Sequence, residues 1–363
     1  MCLHDGTRSV GVLLRRYFPS IKTVRLVHSE AEKPRILFTG GLGQLGVRLA
    51  DVLRTRYGRD TVILSDIVEP SKEVCDSGPY LHIDVLDYDR LKDVIESSRI
   101  SWLIHLSTMA SAGGEKNAQQ AMKVNIDGVR NVLQLGNQFK LKVFVPSSIG
   151  AFGPSSPRNP TPDITIQRPR TIYGISKVYA ELMGEYYHHT FGLDFRCLRL
   201  PGIISADTHF SGGGISDYSV QIFHDALLTG GHTCYLRPDC RLPFMYIDDF
   251  LRCIVEYLEI PGDQLSMRTY NINAMSFTPE ELSNELRKHV PHLEMKYKPD
   301  SRQAIADTWA MKFDDSNARK DWGWKHEYNI EDMCTAMVRL LKPTYTSKQG
   351  KTPDKSKPNL KLY

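Results

Sequence analysis

The chain has 363 residues, of which 41% are hydrophobic and 24% charged, a composition typical of globular proteins that excludes a disordered or fibrous chain. No apolar run is long enough to span a bilayer, so we expect no membrane partner. The net charge of +4 is concentrated at the two ends, residues 1–33 and 342–363, which leaves an acidic middle and argues against a nucleic-acid partner.

Residues 1–33 form a basic segment in which arginines are interleaved with apolar side chains. It contains six Lys or Arg against three Asp or Glu, with Arg8, Arg15 and Arg16 among them. This pattern is typical of a mitochondrial transit peptide, and a disordered leader is the alternative. We favour the transit peptide and therefore predict a location in the mitochondrial matrix.

The seven cysteines are odd in number and show no Cys-x-x-Cys spacing. This pattern indicates free thiols in a reducing compartment rather than a disulfide framework. Cys234 and Cys240 lack the second pair of ligands that a zinc site needs, so we predict no metal site.

From Pro34 onward, short apolar runs alternate with segments of helical periodicity. The apolar runs predict buried strands at residues 34–39, 61–65, 80–84, 102–105, 142–145 and 195–200. The helical spacing predicts helices at residues 45–54, 88–96, 117–138 and 173–187. Such alternation indicates an α/β fold built on a doubly wound parallel (Rossmann) sheet.

After the sixth strand the alternation stops. We predict a helix at residues 217–228, and short returns to the sheet at Phe244–Asp249 and Thr269–Ile272. Thr278-Pro-Glu-Glu281 is a good helix start, because Thr can cap the helix and a Glu follows three residues later.

These elements predict a division of the chain into four parts. Residues 1–33 would be the transit peptide, and residues 342–363, which are rich in Lys, Pro, Ser and Thr, a basic disordered tail. The body would consist of a Rossmann domain and a smaller C-terminal substrate-binding cap, formed respectively by residues 34–205 with 243–275 and by residues 206–242 with 276–341.

A glycine-rich run, Thr39-Gly-Gly-Leu-Gly-Gln-Leu-Gly46, lies between the first predicted strand and the first predicted helix. In that context the glycine spacing is typical of a dinucleotide-binding loop, because glycines let the backbone approach a pyrophosphate at a helix N-terminus. A plain tight turn is the alternative. The cofactor-binding residues predicted here are Gly40, Gly41, Leu42, Gly43, Gln44, Leu45 and Gly46.

Asp66 ends the second predicted strand, where a carboxylate binds the ribose hydroxyls of adenosine and repels a 2′-phosphate. No Arg stands next to it. The sequence therefore indicates NAD rather than NADP as the cofactor. We also predict Ile67 and Leu106 beside the cofactor. Asp84 and Val85, at the end of the third strand, could contact adenine or cap the strand end.

Tyr173 and Lys177 lie four residues apart in a predicted helix, so their side chains share one face. A Lys cation beside a Tyr stabilises the phenolate, which can then take the proton of an alcohol. Together with a dinucleotide loop, this pair indicates oxidation or reduction at a carbinol carbon.

The fifth predicted strand ends in Ser147-Ser148. Ligands of open parallel sheets bind beyond the carboxyl ends of the strands, so these hydroxyls should face the site. The glycine loop, the serines and Tyr173-x-x-x-Lys177 together resemble the extended branch of the short-chain dehydrogenase/reductase superfamily. Aligned on Phe152-Gly153, which stands where that branch usually has Tyr-Gly, the resemblance places the catalytic serine on Ser148, with Ser147 as the alternative.

Within that branch, nucleotide-sugar epimerases and dehydratases typically carry an Arg that meets the nucleotide phosphates. This chain has Leu242 at the corresponding position, although Arg241 could compensate by a one-residue shift. The Asn-x-Tyr-Gly-Pro-Arg segment usual after the sixth strand is replaced by Leu200–Ser205. Both differences remove side chains that would bind a diphosphate. We therefore keep a nucleotide-sugar epimerase or dehydratase only as the alternative function.

Three segments, Leu200–Ala206, Gly212–Tyr218 and Asp314–Gly323, resemble instead the short-chain family of L-threonine 3-dehydrogenases. That family oxidises the 3-hydroxyl of L-threonine with NAD to 2-amino-3-oxobutanoate and needs no zinc. The resemblance implies the same reaction here and a homodimer. It also implies glycine C-acetyltransferase as a functional partner, which cleaves the product to glycine and acetyl-CoA.

The resemblance further implies roles for single residues. Tyr173 would take the hydroxyl proton, Lys177 would bind the nicotinamide ribose, and Ser148 would hold the hydroxyl in line. Ile203 would lie against the nicotinamide ring. The substrate-binding residues would be Ser111, Ser148, Tyr173, Ser216, Asp217 and Trp309.

Some alternatives stay open. Ser111 could be a loop hydroxyl, Asp217 a helix cap and Trp309 a core residue. A non-catalytic NAD-binding module of the same fold is the alternative from another functional class, and retention of the catalytic Ser, Tyr and Lys argues against it.

Overall fold

A computed structural model of the chain describes residues 33–206 and 214–349. Residues 1–32 of the predicted transit peptide, residues 207–213 of the predicted cap and the chain from residue 350 lie outside the described residues. The residues from Arg35 onward pack as one unit.

The strands are numbered along the chain. They are β1 (Ile36–Thr39), β2 (Val62–Asp66), β3 (Tyr80–His82), β4 (Trp102–His105), β5 (Lys142–Phe144), β6 (Ser147–Ser148), β7 (Asp194–Leu200), β8 (Gly202–Ile204), β9 (Gly231–Cys234), β10 (Leu242–Tyr246), β11 (Thr269–Asn271), β12 (Met275–Phe277) and β13 (Glu294–Tyr297).

The helices are numbered in the same way. They are α1 (Gln44–Tyr57), α2 (Lys72–Ser77), α3 (Tyr88–Ser97), α4 (Ser111–Lys116), α5 (Ala118–Met122), α6 (Gly128–Gln138), α7 (Ile172–Phe191), α8 (Tyr218–Thr229), α9 (Ile247–Glu259), α10 (Pro279–Arg287), α11 (Ser301–Ala306), α12 (Ser316–Trp322) and α13 (Ile330–Gln349). A π-helical turn, Lys123–Asp127, joins α5 to α6. Among the described helices, none has both the length and the apolar character that crossing a membrane requires.

The central sheet has eight strands in the order β11-β7-β5-β4-β1-β2-β3, with β6 paired to β7. All of its pairs are parallel. β1 is buried along its whole length because helices cover both faces, as the continuous apolar run predicts. The doubly wound parallel sheet is therefore confirmed, and so is the return of the Thr269 segment to it as β11.

The strand order reverses at β1, since β2 and β3 lie on one side of it and β4 and β5 on the other. In sheets of this kind, ligands bind outside the carboxyl ends of the strands at the point where the order reverses. The glycine loop follows β1 and the loop of residues 106–110 follows β4. The topology thus brings both predicted cofactor segments to one edge.

Phe244–Asp249 was expected to return to the central sheet, and this prediction is wrong. Phe244 belongs to β10, which pairs with β8 and β12 in a separate three-stranded sheet. From Ile247 the chain is helical, with Asp248 and Asp249 in the first turn of α9, where acidic side chains stabilise the helix dipole. The apolar run alone does not reveal which sheet it joins.

The predicted cap has its own small sheet, in which β9 and β13 pair in parallel. Helix α10 begins there with the predicted capping box. Thr278 Oγ1 accepts a hydrogen bond from Glu281 N at 3.1 Å, and the Glu281 carboxylate accepts one from Thr278 N at 3.0 Å.

The tail predicted to be disordered from residue 342 is helical in its first part, because α13 continues to Gln349. Tyr345 fastens this extension to α8, with its hydroxyl oxygen 2.6 Å from His224 Nδ1. The basic composition suggested disorder, but the helix that begins at Ile330 runs on through the first residues of this segment.

Helix α7 lies very close to β7. A Cβ on Gly184 would lie 2.0 Å from Phe195 Cζ, and Phe195 is fully buried in the sheet. Gly184 is therefore required by packing, although glycine is a poor helix former.

We predict that Gly184→Ala destabilises the protein by about 1–3 kcal/mol, because the added methyl group overpacks the core and outweighs the gain in helix propensity. Chemical or thermal unfolding measures the change. The matched control is Gly113→Ala in α4, where a Cβ would meet no described atom within 4 Å. A Gly184→Ala variant as stable as the parent would contradict this account of the packing.

Candidate functional site

The glycine loop is tightly packed at both of its ends. Gly40 has a left-handed backbone (φ 68°), and a Cβ there would lie 2.4 Å from Ser107 N, so this turn after β1 requires glycine. A Cβ on Gly46 would lie 2.4 Å from Gly41 O. Gly41 N in turn donates to Ser65 O at 2.9 Å. The loop is thus held between β1, β2 and β4.

Gly43 differs from these glycines, because packing does not require it. Its backbone is ordinary (φ −64°, ψ 161°), and the nearest described atom to a Cβ there would be Gly40 O at 3.6 Å. Gly43 precedes Gln44, the first residue of α1, where free backbone N–H groups favour an anion. A missing side chain at this point leaves room for a pyrophosphate, so the loop fits NAD.

Asp66 lies at the end of β2, beside the same loop. Its Oδ2 accepts from Leu42 N at 3.0 Å and its Oδ1 from Ile67 N at 2.8 Å. These bonds fix the carboxylate beside the glycine loop, and Ile67 is 60% exposed next to it. Ribose binding by Asp66 stays a prediction. The negative charge disfavours a 2′-phosphate.

Asp84 and Val85 have structural partners. Asp84 Oδ1 accepts from the backbone N–H two residues on at 2.9 Å, and a Cβ on Gly128 would lie 3.0 Å from Val85 Cγ1. These contacts support the strand-end role, and adenine binding stays a prediction. Leu106 lies at the switch point, where its N donates to Thr39 O at 2.8 Å.

Ser148 and Tyr173 meet at Gly150. A Cβ on Gly150 would lie 3.2 Å from the Tyr173 ring and 3.7 Å from Ser148 Oγ. Ser148 Oγ also accepts from Gly150 N at 3.2 Å. Thr171 caps α7, since its Oγ1 accepts from Gly174 N at 3.1 Å. The fold therefore brings the predicted serine hydroxyl and the predicted phenol to the same point.

Ser147 points the other way. It is buried and donates a hydrogen bond to the Glu181 carboxylate. The Ser147 hydroxyl is bonded to Glu181, two helical turns beyond Tyr173, whereas Ser148 Oγ lies beside the contact of Gly150 with the Tyr173 ring. The structure supports Ser148 over the alternative.

Lys177 lies one turn after Tyr173 on α7. Its Nζ donates to Pro146 O at 2.9 Å and lies 5.3 Å from the centroid of the Tyr173 ring. Burial and the Lys177 cation lower the pKa of nearby His105 to about 3, so this imidazole is neutral at physiological pH. His105 Nδ1 lies 2.7 Å from Thr39 Oγ1. Lys177 therefore brings positive charge to the phenol, whereas His105 brings none.

Asn125, in the π-helical turn, holds the loop after β4. Its Oδ1 accepts from Met109 N at 2.7 Å, and its Nδ2 donates to Met109 O at 3.1 Å and to Ser176 Oγ at 3.3 Å. The loop is thereby tied to α7. Such π-turns are frequent at functional sites.

Sequence reasoning missed two carboxylates that position α7. Glu181 follows Lys177 by four residues, and this spacing on one helix face could have revealed it. Glu115 Oε1 accepts from Ile172 N at 2.8 Å and fastens α4 to the first turn of α7. No sequence signal points to Glu115, because its partner lies far along the chain and is a backbone group.

Ser216 and Ile203 lie near the turn after β7. Ile203 is the middle residue of β8 and is in register with Met245. A Cβ on Gly202 would lie 3.0 Å from Ser216 Cβ and 2.8 Å from the Phe244 ring. Ser216 is therefore adjacent to the segment predicted to meet the nicotinamide ring.

The other predicted substrate residues are Asp217, Trp309 and Ser111. Asp217 Oδ2 accepts from Gly214 N at 2.8 Å at the start of α8. Trp309 is buried and its carbonyl accepts from Arg158 Nε at 2.7 Å. Ser111 is the first residue of α4. Asp217 stands at the N-cap position of α8 without a side-chain cap bond to the helix, and the burial of Trp309 fits a core role. Substrate contact stays a prediction for all three residues.

Arg241, the alternative diphosphate-binding residue, has partners within the protein. Its Nη1 donates to Ser276 O at 2.6 Å and its Nη2 pairs with Glu281. Leu242, at the position where a phosphate-binding Arg is expected, is buried in β10. This arrangement supports a substrate without a nucleoside diphosphate.

A cavity of about 520 Å³ opens away from these residues, between β12, α10 and the start of α13. Its carboxylates are paired, Glu281 with Arg241 and Glu285 with Lys288. The described part of the chain contains no group of three His, Cys, Asp or Glu side chains placed to hold a metal ion.

Comparison with known proteins identifies the family of the chain. Residues 36–273 match the NAD dependent epimerase/dehydratase family. The chain is 60% identical over 313 residues to mitochondrial L-threonine 3-dehydrogenase of Bos taurus, covering 86% of this chain and 84% of that protein. The L-threonine dehydrogenase structure from Phytophthora infestans has a TM-score of 0.82 at 45% identity, covering 85% of this chain and 99% of that one.

A monomeric L-threonine 3-dehydrogenase from a metagenome, solved in its apo form, has a TM-score of 0.81 at 38% identity, covering 85% of this chain and 99% of that one. These similarities extend over the Rossmann segment and the predicted cap alike. The chain therefore belongs to the NAD-dependent epimerase/dehydratase family and, within it, to the short-chain L-threonine 3-dehydrogenases.

Proposed function

We propose that this protein oxidises the 3-hydroxyl of L-threonine with NAD to 2-amino-3-oxobutanoate. The observation that carries the proposal is the meeting of Ser148 and Tyr173 at Gly150, with Lys177 one helical turn away. This constellation lies at the sheet edge that also holds the glycine loop and Asp66. The 60% identity to a threonine dehydrogenase supports L-threonine as the substrate.

In this mechanism, bound NAD would be the oxidant and would supply the acceptor for the hydride from the substrate carbon. Ser148 Oγ holds the 3-hydroxyl in line, and the Tyr173 phenolate takes its proton. The Lys177 cation stabilises the phenolate. Because α7 and β6 fix these groups before substrate arrives, positioning supplies much of the acceleration.

The amino and carboxylate groups of threonine need polar partners, and we assign Ser111, Ser216 and Asp217 to them, with Trp309 as a wall of the pocket. The position of Ser216 beside Gly202 supports this assignment.

We expect the protein to reduce NAD with L-threonine and not with UDP-glucose. We also expect Tyr173→Phe to lower kcat by about a hundredfold or more, because the general base is lost. NADH absorbance measures both, and NAD titration should give nearly unchanged affinity. Tyr88→Phe is the matched control, since the Tyr88 hydroxyl bonds Gln138 at the surface. Turnover by Tyr173→Phe at the parent rate would refute the mechanism.

We expect Asp66→Asn to lower kcat/KM for NAD by about tenfold or more, because a charged hydrogen-bond acceptor to the ribose is lost. The ratio of kcat/KM for NADP to that for NAD should rise, since the repulsion of a 2′-phosphate is removed. Asp89→Asn, an exposed carboxylate in α3, serves as control. An unchanged NADP/NAD ratio would show that Asp66 does not select the cofactor.

We infer that the protein works in the mitochondrial matrix, where glycine C-acetyltransferase would consume its unstable amino-ketone product. The basic, arginine-containing segment of residues 1–33 supports this location. The bovine relative carries a mitochondrial designation.

We also infer a homodimer formed by α7. Ile175, Leu182 and Tyr186 lie on one face of this helix and are each about half exposed, and Met122 at the end of α5 is equally exposed. Monomeric proteins rarely expose apolar stripes of this kind, so a second copy is the natural cover. One relative is described as monomeric, so the assembly is a property to measure in each protein.

We expect Leu182→Glu to shift the protein to monomers, because a charge at the centre of the stripe opposes its burial. Analytical ultracentrifugation measures the mass. Leu228→Glu on α8 is the matched control, since Leu228 is 58% exposed and Leu182 59%. A parent protein that sediments as a monomer, or a Leu182→Glu variant that stays dimeric, would refute the proposed interface.

A further inference from the structure

Three side chains on α7, spaced four residues apart, contact one short segment of chain. Tyr173 packs against Gly150, Lys177 donates to Pro146 O, and Glu181 accepts from Ser147. The first two contacts belong to the proposed active site. The third has no role there, because Glu181 is only 1% exposed and lies behind the serine pair.

We propose that Glu181 is a positioning residue that sets the direction of the Ser148 hydroxyl through its hydrogen bond with Ser147. This inference rests on the proposed function. Ser147 and Ser148 are adjacent in the chain, so a bond that fixes Ser147 Oγ on α7 also fixes the backbone from which Ser148 Oγ projects beside Tyr173.

The serine segment needs such a tether because its backbone support is slight. β6 consists of Ser147 and Ser148 alone and pairs with β7 on one side. Pro146, just before it, has no N–H to donate. A side-chain bond to a fixed point on α7 therefore supplies constraint that the sheet does not.

Glu181 is itself rigidly fixed by Arg199, which is 5% exposed on β7. Arg199 Nε donates to Glu181 Oε1 at 3.0 Å and Nη2 to Oε2 at 2.9 Å, a bidentate pair. Gln167 Nε2 also donates to Oε2, at 2.8 Å. The planar guanidinium fork and the Gln167 amide together fix the orientation of the carboxylate.

Arg199 is anchored in turn by Nη1, which donates to Asp163 O at 2.6 Å and to Asn271 Oδ1 at 3.3 Å. Arg199 is also the residue in register with Ser147 across the β6–β7 pair. Strand β7 therefore contacts Ser147 in two ways. Its backbone pairs with that of β6, and its Arg199 side chain binds the Glu181 carboxylate that accepts from Ser147.

Ser147→Ala tests the proposal, because it removes the tether and leaves the Glu181–Arg199 pair intact. We expect kcat for L-threonine to fall by about tenfold or more, the size of effect that misplacement of a reacting group produces. The deuterium isotope effect with L-threonine labelled at C3 should rise, because the chemical step becomes more rate-limiting. NAD affinity should stay within about twofold of the parent value, since the glycine loop and Asp66 are untouched.

The matched control is Ser283→Ala on α10, which removes an equally buried serine hydroxyl bonded to Glu280 O at 2.9 Å, away from the site. It should leave kcat unchanged. Hydrogen exchange followed by mass spectrometry gives a readout that needs no substrate: the peptide covering residues 146–152 should exchange faster in Ser147→Ala and at the parent rate in Ser283→Ala.

Unchanged exchange in that peptide, or a kcat within about twofold of the parent, would overturn the proposal. A fall in kcat that merely follows the folded fraction, with an unchanged isotope effect, would also overturn it, because the role would then be structural. A parent enzyme that exchanges as expected but does not oxidise threonine would refute the proposed function and leave the tether standing. Glu181→Gln, checked for folding by NAD binding, should reproduce the faster exchange.

Discussion

The site depends on how closely helix α7 approaches the central sheet. Side chains are absent where the two meet: a Cβ on Gly174 would lie 2.3 Å from Gly150 O, and one on Gly184 would collide with Phe195. These contacts let the helix lie low enough for a phenol and an ammonium group to reach a strand end. A helix held one methyl group further away would carry the same residues without bringing them to the serine.

The two halves of the site are built by different means. The cofactor half consists of backbone and of empty space between β1 and α1, with Asp66 as its charged member. The chemical half consists of side chains supported by buried charged groups, since Lys177 and Glu181 on α7 and Arg199 on β7 are all buried. The first half selects a dinucleotide by shape, whereas the second aligns hydroxyl groups.

Much of this could be predicted from the sequence, because the glycine spacing, the strand-end Asp66 and the four-residue spacing of Tyr173 and Lys177 are local patterns. The central sheet follows from them and from apolar periodicity. What could not be predicted depends on distant partners. β10 pairs with β8 and β12 rather than with the main sheet, Tyr345 near the end of α13 contacts His224, and Glu115 accepts a hydrogen bond from a backbone N–H of α7. Such contacts join residues that are far apart in the chain, so local composition does not reveal them.

The contrast between Gly46 and Gly43 has an evolutionary consequence. A side chain at Gly46 collides with the loop itself, so natural selection would remove such a variant through failure to fold. A side chain at Gly43 meets no described atom closer than 3.6 Å, so the variant would fold and be cleared only through lost activity. In a lineage that no longer binds the cofactor, Gly43 would therefore be free to vary, whereas Gly46 would remain glycine. Substitution at Gly43 alone would then indicate that cofactor binding has been lost.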